Sequence, residues 1–409
     1  MKLLRSVTTN TVFQILARLI SSGSSFLITL FVARQFGVNG YGELAKITTF
    51  VSFFYLFVDF GFNAIFLQME NVSSRFRDLF YLRLFMSVGL VVIVSVLGAA
   101  LPYSSVSHIG YSPIVKLGIL LFSVTLVTEG ILYSATALFQ KKLAYKNQAL
   151  SAAWGAVVSL LLVGLVFFLS LPLLFIVLAF VLGGVVESLV ALFLTKEAIA
   201  PLSIDTKFVK SLAVQTAPIT LMLLLNLVYF RVDGFLLALM KSTRDVGIYD
   251  LAYKFFDFLI ALPLFLSNSM YPHLLASEKN SRTPMAKVAL YALVFFGLGL
   301  LLIIPVWFAT PLLIFIKKDF LSSSLPLRIL LLSLPVFFTT SILQWVLIAK
   351  KQQKFLLFVY AISLIANIIL NIIFIPHYSY VASAIITDIS EVFVLVLTFS
   401  YIILRRKSL

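Results

Sequence analysis

Long apolar stretches recur along the whole sequence and constrain the fold more than any other feature. Each runs for roughly 18 to 25 residues, the length that carries a helix across the hydrocarbon core of a bilayer. With 61% hydrophobic and 11% charged residues, the 409-residue chain has more apolar surface than a water-soluble fold can bury. Strands of a membrane barrel would show short alternating segments instead. The sequence therefore predicts an all-α polytopic membrane protein.

The breaks between these stretches divide the chain into twelve expected transmembrane helices. The first six are placed at 10–33, 44–68, 79–101, 115–139, 147–170 and 172–195, and the second six at 211–240, 246–273, 286–309, 325–349, 355–376 and 380–404. No cleavable signal peptide is expected, because the first apolar run is too long for one and contains Gln14 and Arg18. Pro218, Pro263 and Pro305 fall inside spans, and so does Pro335, so bends are expected there.

Short sequence matches suggest that the two halves repeat. The tripeptide Glu-Leu-Ala at Glu43 returns as Asp-Leu-Ala at Asp250, and the Lys-Lys pair at Lys141 returns at Lys350 at a nearly equal offset. Parallel repeats of this kind occur in transporters that rock two helix bundles against each other. The expected organisation is therefore two six-helix lobes, residues 1–200 and 201–409, around a central cavity.

Basic residues concentrate in alternate loops and set the expected orientation. Arg75, Lys142 and Lys350 lie in loops that share the side of the N-terminus, whereas Arg34 lies on the other side. Because basic loops stay inside, both termini are expected in the cytoplasm. The formal net charge of +15 is thus mainly a topology signal. Without a basic soluble module, nucleic-acid binding is not expected.

Several kinds of chemistry have no residues to carry them. The sequence has no cysteine and three histidines far apart, so disulfides, thiolate catalysis and a metal site are not expected. No nucleophile triad or phosphate-binding glycine loop can be assembled, so neither catalytic residues nor a cofactor are expected. A membrane enzyme such as a polymerase or ligase would normally carry a large outward loop. The longest outer loop, about Pro102 to Ile114, is short, and an enzyme is not expected.

Three cations lie inside apolar stretches, at Arg18, Arg231 and Lys254. A cation at the bilayer centre costs about 3 kcal/mol or more, so it usually faces a polar cavity or a partner charge. Arg18 shares one helix face with Asn10, Gln14 and several serines. For the serines alone, close packing between helices is an equal alternative. The arginine favours a cavity, and the three cations predict a path for an anionic substrate, with Asn10 and Gln14 beside it.

Acidic residues also lie inside the spans. Asp59 has a depth comparable to that of Arg18, so an ion pair between them is plausible, and Asp233 and Asp257 lie close in sequence to the cations of the second half. Such pairs could simply hold helices together. Asp59 and Glu129 are the candidate ion-coupling residues. Three further acids have no obvious partner: Glu187, Asp388 and Glu391. Glu187 is expected to be protonated in the bilayer.

Five segments in sequence order resemble the polysaccharide-transport family, the Wzx-type flippases of lipid-linked oligosaccharides. The matching segments are 10–14, 34–42, 232–237, 246–254 and 367–376. The resemblance extends over essentially the full length. One departure lies before the last span, where relatives often have a glycine-rich turn and this chain reads His-Tyr-Ser-Tyr-Val-Ala from His377 to Ala382.

The resemblance implies membership of the superfamily that includes multidrug and toxic-compound extruders and lipid II flippases. The implied activity moves an undecaprenyl-pyrophosphate-linked oligosaccharide from the cytoplasmic to the outer leaflet of the bacterial inner membrane, for O-antigen, capsule or exopolysaccharide assembly. Membrane lipid, H+ or Na+ as coupling ion, and the polysaccharide polymerase machinery are the implied partners. The alternative is a cation-coupled multidrug antiporter of the same superfamily, for which an acidic cavity would be expected in place of arginines.

Overall fold

A computed structural model describes residues 2–69, 72–197, 205–280 and 285–405 of the chain, and these residues form two compact units, 1–224 and 225–409. The helices up to residue 195 are α1 (Lys2–Asp59), α2 (Phe62–Phe66), α3 (Val72–Ala100), α4 (Pro113–Phe122), α5 (Thr125–Lys141), α6 (Tyr145–Phe168) and α7 (Leu174–Thr195). A small antiparallel hairpin, β1 (Tyr103–Ser104) and β2 (Ile109–Gly110), joins α3 to α4.

The remaining elements begin with a helix that belongs to both units. They are α8 (Thr206–Met240), α9 (Thr243–Asn280), α10 (Met285–Ala309), two 3-10 turns (Thr310–Phe315 and Lys318–Ser323), α11 (Ser324–Leu332), α12 (Leu334–Ala349) and α13 (Gln353–Leu404). Near its start, α8 packs Phe208 and Leu212 against Phe62, Phe66 and Leu138 of the first unit. The compact units therefore divide inside α8, and the repeat boundary expected at residue 200 stays a prediction.

Two of the helices are long enough for two spans each. α1 is interrupted at Gly37 (φ 66°, ψ −169°), and α13 is interrupted at Ser379 (φ 51°, ψ −138°). Among the described residues, eight helices are long and apolar enough to cross a membrane, or nine with the α11–α12 pair, which is bent by 41°. If α1 and α13 are each counted as two spans and the 38-residue α9 as one more, the nine become twelve. Six of them lie before residue 200 and six after it. The all-α polytopic membrane fold is confirmed.

The prolines differ in their effect on the helices. α8 and α10 continue through Pro218 and Pro305, whereas Pro335 lies in the first turn of α12, directly after the 41° bend. Proline is tolerated in a first turn because the N–H it lacks would have no helical partner there. Pro335 is thus the one among these three that marks a break. The interruption at Ser379 falls within the segment from His377 to Ala382, where the sequence lacks the glycine-rich turn that the family resemblance led us to expect.

A buried lysine fastens the hairpin to α1. Lys46 is fully buried, and its Nζ donates a hydrogen bond of 2.6 Å to the carbonyl of Gly110 and lies 5.8 Å from the ring centre of Tyr111. Gly110 has φ 88°, and a Cβ there would come within 2.2 Å of the Pro102 carbonyl oxygen. The expected loop around residues 102–114 is therefore an ordered hairpin, and its last residues are tied to the second span.

Candidate functional site

The polar face expected on the first span lies on α1 in the first unit. Arg18 is exposed, and Gln14 is half-buried. Ser21 and Ser25, one and two turns further along, line a cavity. The side chain of Asn10 lies outside the described residues.

That cavity holds about 210 Å³ and lies wholly within the first unit. Two carboxylates, Glu129 of α5 and Glu187 of α7, line it together. The other lining residues are mostly small or hydroxyl-bearing, with three aromatic rings and Ile28: Ser21, Ser24, Ser25, Ile28, Tyr55, Phe122, Thr125, Thr128, Ala152, Gly155, Ala156, Ser159, Phe180, Gly183 and Gly184. The sequence predicted Glu187 as an isolated acid, but the structure places it in one chamber with Glu129.

Glycines at the contact between α6 and α7 make room for this chamber. A Cβ at Gly155 would lie 2.6 Å from Cβ and 2.9 Å from Oε2 of Glu187. A Cβ at Gly183 would overlap Oγ of Ser159, and one at Gly184 would lie 3.0 Å from Oγ1 of Thr128. Larger residues would therefore fill the space that the carboxylate and the hydroxyls occupy. This is the use of small residues expected where membrane helices pack closely.

Hydroxyl groups surround the two carboxylates. Tyr55 and Thr125 share a hydrogen bond of 2.8 Å between their oxygens, and Thr128 donates to the carbonyl of Thr125 at 3.0 Å. Ser159 is 8% exposed and makes no hydrogen bond within the described part of the chain. Carboxylate and hydroxyl oxygens are ligands for a proton, a monovalent cation or an amine. The chamber is therefore suited to binding a positively charged ligand.

The other candidate coupling residue, Asp59, is held in an ion pair. The fully buried Arg83 of α3 reaches it, with 3.3 Å between Nη2 and Oδ1 of Asp59. The same Nη2 donates to the Asp59 carbonyl at 3.1 Å and to Oδ1 of Asn63 at 2.8 Å. The ion pair of Asp59 is thus formed with Arg83 and not, as expected, with Arg18. Arg83 was not among the predicted site residues, although it is an arginine inside an apolar run just as Arg18 is.

Arg83 binds the non-helical segment between α1 and α2. α1 ends at Asp59, Phe60 and Gly61 both have positive φ (47° and 65°), and α2 begins at Phe62. Oγ1 of Thr220 on α8 donates to the Phe60 carbonyl at 2.9 Å. Two carbonyls at this break, those of Asp59 and Phe60, thus accept side-chain hydrogen bonds from α3 and α8, the kind of compensation that a membrane interior requires.

In the second unit, Arg231 of α8 is paired with Asp257 of α9. Nη2 of Arg231 lies 2.7 Å from Oδ2 of Asp257, and both side chains are about 30% exposed (29% and 28%). The guanidinium also lies 5.3 Å from the ring centre of Tyr253. Lys254 is half-buried on the same helix and has no ion pair among the described residues. Asp257 therefore pairs with Arg231 and not with Lys254, the partner considered from the sequence.

Asp233 and Glu391 are buried acids that hydroxyl groups satisfy. Asp233 accepts from the Tyr249 hydroxyl, from Thr387 Oγ1 at 3.0 Å and from the Gly234 N–H at 2.7 Å. Asp233 therefore binds hydroxyls, although the sequence placed it beside Arg231 as a possible partner. Glu391, which had no obvious partner, accepts from the Tyr229 hydroxyl at 3.1 Å and from the Thr340 hydroxyl. These contacts join α8 to α9, α12 and α13, which is a structural role.

A family model described as polysaccharide biosynthesis protein matches residues 7–275. The chain belongs to this family. A second model, MatE, matches residues 218–373 of the same chain. Together they place the chain in the multidrug/oligosaccharidyl-lipid/polysaccharide exporter superfamily, and the family expected from the sequence is confirmed. No curated protein sequence matches it significantly.

Solved structures share the fold of this chain at low sequence identity. The lipid II flippase MurJ in an inward closed conformation has a TM-score of 0.75 and 16% identity, covering 97% of this chain and 87% of that one. An inward-facing MATE family multidrug resistance transporter has a TM-score of 0.72 and 12% identity, and the match covers 97% of this chain and 99% of that one. The eukaryotic MATE transporter AtDTX14 has a TM-score of 0.66 and 14% identity, and the match covers 98% of this chain and 96% of that one. These structures therefore show the fold of the chain, that of a multi-pass membrane protein of this superfamily.

Proposed function

We propose that the protein flips an undecaprenyl-pyrophosphate-linked oligosaccharide repeat unit from the cytoplasmic to the outer leaflet by alternating access. The observation that carries the proposal is the family match over residues 7–275. The assembled polymer is an O-antigen, capsule or exopolysaccharide, and the polymerase machinery receives the flipped unit. The location is the bacterial inner membrane, with both termini in the cytoplasm as the loop charges predict.

The membrane cations suit a pyrophosphate head. Arg18 is exposed on α1, and Arg231 is held by Asp257 and Tyr253, with 29% of its side chain exposed. Lys254 has no ion pair among the described residues. Arginine forms paired, charge-assisted hydrogen bonds to phosphate oxygens, and lysine acts as a point charge. Arg18, Arg231 and Lys254 therefore bind the diphosphate in turn, with Asn10 and Gln14 beside Arg18.

The ion that drives transport, a proton or Na+, binds in the carboxylate chamber of the first unit. Glu129 and Glu187 line this chamber together with hydroxyl-bearing side chains, whereas Asp59 is already neutralised by Arg83. Two carboxylates in a small chamber repel each other, so taking up one proton or Na+ is favourable. Glu129, with Glu187, is the coupling site, and Asp59 has a structural role. This replaces one of the two coupling residues expected from the sequence.

Complementation of a strain that lacks its repeat-unit flippase tests the proposal. The wild-type chain should restore surface polysaccharide. Arg18→Ala, Arg231→Ala and Lys254→Ala should each lower it by about tenfold or more, the loss expected for one charged hydrogen bond to phosphate. Arg18→Lys should retain part of the activity. Lys317→Ala, which removes an exposed lysine far along the chain, is the matched control. Full activity in all three alanine variants would overturn the charged path.

The carboxylate chamber favours a second candidate function, export of organic cations. Its two carboxylates and the rings of Tyr55, Phe122 and Phe180 form the lining that an amine-bearing drug prefers. Expression in a drug-sensitive host separates the two functions. Resistance to cationic dyes that Glu187→Gln abolishes, without restoration of polysaccharide, would establish the exporter. Restored polysaccharide without dye resistance would establish the flippase.

A further inference from the structure

A second cleft lies on the surface of the first unit, between α1 and α6. It encloses about 450 Å³ and is lined by Phe31, Arg34, Gln35, Leu160, Val163, Gly164 and Phe167. The rings of Phe31 and Phe167 pack against each other, with 5.7 Å between their centres, and form one side of the cleft. Val163, which also lines it, is buried. The cleft is thus apolar along most of its length, with two polar side chains at one end.

The polar end holds an arginine that no described acidic residue neutralises. Arg34 is exposed and makes no hydrogen bond or ion pair among the described residues. It lies three residues before the break of α1 at Gly37, at the end of the span that the loop charges place outside. Few basic residues are expected on that side. The loop charges therefore predict that Arg34 lies at the outer interface, where it forms the polar end of an apolar cleft.

Glycine keeps the cleft open. A Cβ at Gly164 would meet nothing within 4 Å, so the space in front of this residue is empty of protein. Gly164 lies in the middle of α6, where glycine costs about 1 kcal/mol relative to alanine. On a membrane-facing surface such a space is filled by lipid chains, because a void would forfeit the dispersion contacts of its lining.

We propose that this cleft binds an anionic glycerophospholipid of the outer leaflet. One acyl chain lies over Gly164 and against the paired rings of Phe31 and Phe167, and the phosphate accepts hydrogen bonds from Arg34 and Gln35. A guanidinium favours an anionic head over a zwitterionic one, since the ammonium of a zwitterionic lipid competes for the same phosphate. The cleft is too small for a polyprenyl chain, which is several times longer than an acyl chain. The site is independent of the transport path proposed above.

Native mass spectrometry of the purified full-length protein tests this site. The protein is released from nanodiscs that contain phosphatidylglycerol and phosphatidylcholine in equal amounts, and retained lipids are counted. The wild type should retain one phosphatidylglycerol in preference to phosphatidylcholine. Arg34→Gln should lower this preference about fivefold, the effect of one basic residue on an anionic lipid. Gly164→Leu, which fills the cleft, should abolish retention while Arg34 is still present.

Two variants serve as controls. Gly89→Leu places the same side chain at another open, exposed glycine on α3, and Lys317→Gln removes a different exposed cation. Neither should change the preference, and all four variants should melt within a few degrees of the wild type. Equal retention of the two lipids by the wild type would overturn the proposal. It would equally fail if Gly164→Leu retained the lipid, or if added undecaprenyl phosphate displaced phosphatidylglycerol at equal concentration.

Discussion

Gly155 on α6 lies directly against Glu187 on α7, so close that a Cβ at residue 155 would lie 2.9 Å from the carboxylate oxygen Oε2. The absence of a side chain on one helix thus fixes where the acid on the next helix can stand. The position of Glu187, and with it the distance to Glu129, depends on residue 155.

Gly155→Ala should therefore displace the Glu187 carboxylate. We expect a loss of stability of about 1–3 kcal/mol from overpacking, together with transport that responds less steeply to the ion gradient. Transport into inverted vesicles at varied ΔpH or Na+ measures the response per folded molecule. Gly89→Ala, at an open glycine on α3, should change neither quantity. Wild-type gradient dependence in Gly155→Ala would show that Glu187 takes no part in coupling.

Asp59→Asn should act on stability and leave ion coupling intact. It leaves the fully buried Arg83 without its carboxylate, and breaking a buried pair costs about 3–5 kcal/mol. Asp59 is 33% exposed, which places the cost near the lower end of that range. Thermal unfolding in detergent measures the loss, and the double variant Asp59→Asn/Arg83→Met should recover part of it. A stable Asp59→Asn protein that has lost its gradient dependence would return Asp59 to the coupling role.

Asp205, outside the membrane spans, should make stability depend on pH. Its Oδ1 accepts N–H bonds from Phe208 and Lys207, both at 3.1 Å, at the start of α8, and Oδ2 lies 3.1 Å from Nη1 of Arg75. The Phe208 N–H bond first, and then Arg75, lower the pKa of Asp205 below its ordinary value of 3.8. Because this pKa is lower in the folded state, the stabilisation is complete above about pH 4 and is lost as the pH falls through the folded pKa.

The matched substitution is Asp205→Asn, which retains a capping oxygen and removes the charge. The unfolding midpoint of the wild type should exceed that of the variant at pH 6, and the difference should shrink as the pH is lowered past 3.8. Asp319→Asn, at a half-exposed aspartate in the second unit, should show a smaller difference. A difference between wild type and Asp205→Asn that grows towards acid pH would contradict this account.

Ser379→Gly should stabilise the protein. Ser379 has φ 51° and ψ −138°, a region that glycine enters freely and other residues enter at a cost of about 1–3 kcal/mol. The substitution should raise the unfolding midpoint by a few degrees, whereas Ser379→Ala should not raise it. A lower midpoint for Ser379→Gly would mean that the serine side chain makes a contact worth more than the strain.

The spans were predictable from the sequence, and the partners of their charged residues were not. Hydropathy placed twelve spans because burial in lipid needs only length and apolarity. It could not show that Asp59 meets Arg83 or that Glu129 and Glu187 share a chamber, because those contacts depend on the rotation of each helix about its axis. Arg83 itself could have been found by the criterion that selected Arg18. The break at Ser379 was signalled only by a missing glycine-rich turn, which indicated a difference without giving its geometry.

The pairing of Arg83 with Asp59 also bears on how the chain enters the membrane. An arginine inside a span opposes insertion by about 2.5–3.5 kcal/mol at the helix centre. Asp59 and Arg83 lie on consecutive spans, so the carboxylate has already emerged from the ribosome when the arginine reaches the translocon. The second and third spans can then insert as one neutralised hairpin. During biogenesis, the third span depends on the one before it.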